Sequence, residues 1–234
     1  MTDSTIHRHY EEAEQELRSR VLAMGGIVEE MMRTAVGALL SGDPKPLEEV
    51  HRREIEVNGF HREVDEKCMT LIARYQPAAS DLRFIMAVIR VNADLERIGD
   101  QAVNIAQNTQ ALLSLPAGSR MLLDIPLMAS LASEMLKDAL DAFTRGDSAL
   151  ALTVSVRDDA EDELKRESFY EIARIMQADV TNIPAGMALL LIARNMEKIA
   201  DHANNIAKEV IFMESGTDVR HPGSQDRGNK DSSS

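Results

Sequence analysis

Two short stretches of the chain pair carboxylates at helical spacing. Leu95-Glu96-Arg97-Ile98-Gly99-Asp100-Gln101-Ala102-Val103-Asn104-Ile105-Ala106 returns 101 positions later as Met196-Glu197-Lys198-Ile199-Ala200-Asp201-His202-Ala203-Asn204-Asn205-Ile206-Ala207, with seven of the twelve positions identical. Each copy carries an acidic pair at i and i+4, Glu96/Asp100 and Glu197/Asp201, with Asn104 or Asn205 four residues further on. On a helix such residues lie one turn apart on one face, where two like charges cost about 0.2–0.5 kcal/mol unless something neutralises them. Hard oxygen donors from several carboxylates suit Mg²⁺, Mn²⁺ or iron, and Zn²⁺ can also use them. Asp158/Asp162 repeat the spacing, and Glu54/Asn58 carry it with one carboxylate missing. A metal site in the first half should therefore be the weaker one. His202, beside Asp201, is a further candidate ligand.

The plainer reading of these pairs is a solvated helix face with basic partners. Arg194 stands three residues before Glu197 and could pair with it, whereas Arg97 and Lys198 are adjacent to the acids and should point elsewhere. For Glu54 and Asp158, which fall on apolar seams, the plain reading is a hydrogen-bonded or ion-paired side chain inside a bundle. No Ser/His/Asp or Cys/His arrangement, Walker loop or dinucleotide glycine pattern occurs. The Glu-x-x-His motif on two helices that a di-iron bundle uses is absent too.

The elements that must position these residues read as helices. Leu17, Val21, Met24, Val28, Met31, Ala35 and Ala38 recur at three- and four-residue steps from about His7 to Leu40. Ser41-Gly42-Asp43-Pro44 then ends the run. A second helix reaches Tyr75 with Leu47, Val50, Val57, Val64, Cys68 and Leu71 on its seam, Glu54 and His61 interrupting it. Gln76-Pro77-Ala78-Ala79-Ser80-Asp81 reads as a turn with Ser80 or Asp81 as N-cap. A third helix carries Phe84, Val88, Val91, Leu95, Ile98, Ala102 and Ile105.

The second half repeats this order. Met128, Met135, Ala139 and Ala142 match Met24, Met31, Ala35 and Ala38 at an offset of 104, and Arg157-Asp158 matches Arg53-Glu54. Ala185, Leu189, Ile192, Met196, Ile199, Ala203 and Ile206 form the last seam. Such a repeat predicts an all-α fold of two tandem, pseudo-symmetric three-helix bundles, six long antiparallel helices in all. The expected units are 1–117, 118–215 and a disordered polar tail over 216–234. Projected at 100° per residue, Glu96/Asp100 and Glu197/Asp201 lie almost opposite the apolar seams, on an outer face or in a groove between bundles.

Composition narrows the function classes. A net charge of −13 argues against nucleic acid and against adhesion to an anionic bilayer. Only 3% of residues are aromatic and thirteen are Met, which suits an aliphatic helical core. One cysteine, Cys68, excludes an internal disulfide and is most simply a small buried hydrophobe. With a polar start and no apolar run near the 18 or so residues needed to span a bilayer, the expected home is the cytoplasm.

Gln76-Pro77-Ala78-x-x-Asp81-Leu82-Arg83, the copies Glu96-Arg97-Ile98-Gly99-Asp100 and Glu197-Lys198-Ile199-Ala200-Asp201-His202, and Gly216-Thr217-Asp218-Val219-Arg220-His221 together resemble the PhoU family. That resemblance implies tandem three-helix bundles with Glu/Asp-x-x-x-Asp motifs holding iron, zinc or other divalent metals at the bundle surface. Carried over, the metal residues are Glu96, Asp100, Glu197 and Asp201, then Asp158, Asp162 and Glu54. It also implies a cytoplasmic negative regulator of the phosphate-starvation response and of phosphate uptake. Such a protein works between the phosphate ABC transporter's ATPase subunit (PstB) and a sensor histidine kinase (PhoR), as a homodimer, at the inner membrane through protein partners rather than by inserting into it. The rival readings are a carboxylate-cluster metalloenzyme or metal store, and a metal-free structural bundle.

Overall fold

Each helical segment has an apolar stripe along one side, and burying six such stripes at once sets the architecture. The computed structural model describes residues 3–116 and 125–217. Six α-helices run through them: α1 (Asp3–Ser41), α2 (Leu47–Tyr75), α3 (Ala79–Leu113), α4 (Ile125–Arg145), α5 (Ser148–Ala178) and α6 (Ile183–Ser215), with a 3₁₀ turn at Val180–Asn182. The boundary expected at 117–118 and nearly all of the tail expected at 216–234 lie outside the described residues.

The breaks between helices follow from local chemistry. Gly42 and Gly146 take φ of 73° and 63°, a left-handed conformation open to glycine at little cost, and close α1 and α4 at repeat-related points. Asp147 caps α5, its side chain accepting from Leu150 N at 3.0 Å. The start of α3 differs from the expected capping. Ala78 is the extended N-cap with no side-chain hydrogen bond, and Ser80 and Asp81 already lie in the first turn. Asp81 there suits the positive end of the helix dipole.

Within each half the three helices pack on one another: α1, α2 and α3 in the first, α4, α5 and α6 in the second. The halves then join along α3–α6 and α1–α4. Every α1 seam residue from Leu17 to Ala38 is buried, as are the seam residues expected on α2, α3 and α6. At the α1–α4 junction Arg18 stacks its guanidinium 4.4 Å from the Phe84 ring centre and donates to Phe143 O at 3.0 Å. The rings of Phe84 and Phe143 stack across the halves at 6.4 Å. Cys68 is fully buried, and burial pushes its thiol up to about 12. Among the described residues no helix is long and apolar enough to cross a membrane.

Candidate functional site

α3 and α6 are buried over more than one stripe because each packs on its own half and on the other helix. Glu197, expected on an outer face or in a groove between bundles, is only 6% exposed. Asp201 and Glu96 are half-buried, and Asp100 alone of the four is exposed.

In the second half, α5 and α6 bring the acids together. Lys165 of α5 places its Nζ 2.6 Å from Glu197 Oε1 and 3.9 Å from Asp162 Oδ1. Lys198 donates to Asp201 and stands 3.4 Å from Glu197 Oε2, so it turns toward the acids rather than away from them. Arg194 forms no ion pair with Glu197; it lines an adjacent cleft of about 410 Å³ with Phe169, Tyr170, Met187 and Leu191. Asp158 accepts a hydrogen bond from Asn204 Nδ2, and Ser155 Oγ donates to Asn204 Oδ1 at 2.7 Å. Burial first, then the charges of Asp201 and Asp162, raise the Asp158 carboxyl above its ordinary value.

The first-half set is laid out differently. Glu54 and Glu96 are half-buried, Asp100 is exposed, and none of the three has a hydrogen-bond or ion-pair partner among the described residues. His202 sets its Nδ1 2.9 Å from Asp94 Oδ1 across the α3–α6 seam.

One acidic residue in the cluster escaped the pattern reading. Glu161 is 1% exposed, and neither carboxylate oxygen has a hydrogen-bond partner among the described residues. Burial, then the charges of Glu197, Asp162 and Asp158, push its carboxyl up from 4.5 to about 8. The repeat offset held the signal: Glu161 stands 104 residues after Val57, a seam position that is also 1% exposed. Likewise Lys165 replaces His61 and buried Ser168 replaces buried Val64, so the second bundle has the more polar interior.

By chemistry alone the donor set suits a hard cation: the side chains offer only oxygen, several are carboxylates, and both Glu161 oxygens are buried without a donor among the described residues. As the side chains stand, though, two ammonium groups hold Glu197 and Asp201, and among the described residues no three acidic, histidine or cysteine groups converge enough to hold a metal ion.

The repeat and the paired bundles match a known family. The family model of the PhoU domain matches residues 21–109 and again 125–210, the two halves of the fold. The chain belongs to the PhoU family. It is 38% identical over 209 residues to a phosphate-specific transport system accessory protein PhoU homolog of Pseudomonas putida, covering 89% of this chain and 82% of that one. A homolog of the same description from Pseudomonas aeruginosa is 38% identical over 224 residues, 94% of this chain and 93% of the relative. The crystal structure of PhoU from Pseudomonas aeruginosa superposes with a TM-score of 0.86 at 36% identity, covering 89% of this chain and all of that one. The phosphate transport system regulatory protein PhoU from Streptococcus pneumoniae gives a TM-score of 0.84 at 28% identity, with 90% and 99% coverage.

Proposed function

We propose that this chain is an accessory regulator of a phosphate-specific transport system, a cytoplasmic protein that acts by binding rather than by turnover. The observation that carries the reading is the match of both halves, 21–109 and 125–210, to the PhoU domain, in a chain whose relatives are named accessory and regulatory proteins of phosphate transport. In the finer reading it represses the phosphate-starvation response and restrains phosphate uptake. It does so as a homodimeric adaptor between the transporter's ATPase subunit (PstB) and a sensor histidine kinase (PhoR). An acidic protein of net charge −13 would reach the membrane by docking on proteins there rather than on anionic lipid.

Metal enters this reading as a modulator of that docking surface. Glu197, Asp201, Asp158 and Asp162 would hold a cation in the second half once Lys165 and Lys198 release them. Glu54, Glu96 and Asp100 would hold one more weakly in the first. A bound divalent cation would supply positive charge, exchanging a carboxylate–ammonium surface for a neutralised one.

Co-purification tests the adaptor role. The tagged full chain, expressed beside the transporter and the kinase, should retain both the ATPase subunit and the kinase through a wash in moderate salt. Recovery of neither, from a chain that still melts cooperatively, would refute it.

A further inference from the structure

The two bundles bury matching stripes but differ in what they leave outside. Leu152, Val156, Phe169 and Tyr170 of α5 are each more than half exposed. The positions 104 residues earlier on α2 hold Glu48, Arg52, Asp65 and Glu66, all charged. On α6 the exposed Leu191 stands where α3, 101 residues earlier, has Arg90. The first bundle folds with charged side chains at these places, so the architecture does not need the apolar ones. Single surface hydrophobes are ordinary, whereas a clustered set rimmed by polar groups marks an interaction site.

Three of these residues cluster at the cleft of about 410 Å³ between α5 and α6. α5 contributes Phe169 and Tyr170, their ring centres 5.9 Å apart edge to face, and α6 contributes Met187 and Leu191. Met187, Leu191 and Arg194 stand at i, i+4 and i+7, so the groove follows α6 for two turns, about 11 Å. On a chain of net charge −13 this lining carries three cations, Lys165, Arg166 and Arg194, against one acid, Asp162. Lys165 is held by Glu197 and Asp162, and Arg166 by Glu163. Arg194 has no ion-pair partner among the described residues. An apolar trough between two helices accepts the stripe of a third, and an unpaired guanidinium at its rim selects a carboxylate beside that stripe.

We propose that the α5–α6 groove of the second bundle is a docking site for an amphipathic helix of another protein. The apolar stripe of that helix lies against Phe169, Tyr170, Met187 and Leu191, and a flanking carboxylate pairs with Arg194. This deepens the binding role proposed above by giving it a face and a partner chemistry, and rests on that role only for the occupant being a protein.

Fluorescence anisotropy with a labelled helical peptide of about 15 residues tests this, its leucines at i, i+4, i+7 and i+11 and glutamates on both flanks. The full chain is compared as wild type, Phe169→Asp/Tyr170→Glu and Arg194→Glu. The double variant installs the first bundle's own side chains at exposed positions and should melt like wild type; Leu191→Arg, which installs the α3 residue, replaces it if it does not. Wild type should bind the peptide less tightly as salt is raised, and each variant should lose roughly tenfold or more in affinity. Equal binding by wild type and the folded variants, or no binding by wild type, would overturn the inference. Two further results would also overturn it. Binding of the dye anilinonaphthalene sulfonate but not of the peptide would make the cleft a small-molecule site. Light scattering that shows a dimer in wild type and a monomer in the double variant would assign the groove to a second copy of the chain. Neither transporter nor kinase enters the assay, so failure here is distinct from failure of the co-purification.

Discussion

Asp94 Oδ1 and His202 Nδ1 lie 2.9 Å apart, joining α3 of the first half to α6 of the second. Both side chains are 16% exposed, so the pair is largely out of water. A little further along the same seam Arg90 reaches Glu209 at 3.0 Å, with the Glu209 side chain 6% exposed. The halves are thus held in register by polar pairs set into an apolar seam, which constrains how α3 and α6 can slide.

Removing either partner of the Asp94–His202 contact should destabilise the chain by about 1–3 kcal/mol, the cost of leaving a buried polar group unpaired. Asp94→Ala combined with His202→Ala should cost less than the sum of the two single changes. Urea denaturation of the four proteins checks this, and strict additivity would mean that the contact contributes nothing.

Glu161 makes stability depend on pH in a definite direction. Its folded carboxyl is raised from 4.5 to about 8, so the native state holds a proton that the unfolded chain has released. The contribution is full below 4.5 and is lost as pH rises toward 8, on the order of 4 kcal/mol across that window. In the presence of a chelator, Glu161→Val should show a flatter stability profile between pH 5 and pH 8 and exceed wild type at the upper end. Denaturation curves of equal slope against pH in the two proteins would contradict the assignment.

Lys165 occupies the Glu197 carboxylate at 2.6 Å, and a cation drawn to Glu197 must displace it. Lys165→Met should lower stability by about 1–3 kcal/mol, since a largely buried carboxylate loses its nearer partner while Lys198 remains. The same variant should bind Mn²⁺ several-fold more tightly. Weaker binding would show that the ammonium supports the site rather than competing for it.

The fold was legible because the repeat is written in apolar spacing and punctuation. Leu17 to Ala38, the paired Gly42 and Gly146, and the seams of α3 and α6 all depend on local periodicity, which survives into the structure. The site was legible only in part. Helical projection put Glu197 opposite its seam, as it is, but could not tell that α5 covers that side and that Lys165 comes with it. The pairing of His202 with Asp94 is a contact over 108 residues between helices of different halves, and no local pattern encodes it. Glu161 was hidden for the opposite reason. It sits where a hydrophobe belongs, and only comparison with Val57 marks it as unusual.

Reporter expression from a phosphate-starvation promoter in phosphate-replete cells tests whether the chain represses and whether its carboxylates are needed. Cells lacking their own PhoU protein would receive either the wild-type chain or Glu197→Ala/Asp201→Ala, with soluble level and cooperative melting of the variant measured alongside. Wild type should restore repression and the folded double variant should not. Equal repression by both would contradict a role for the carboxylates, and failure of the folded wild-type chain to repress would contradict the regulatory reading itself.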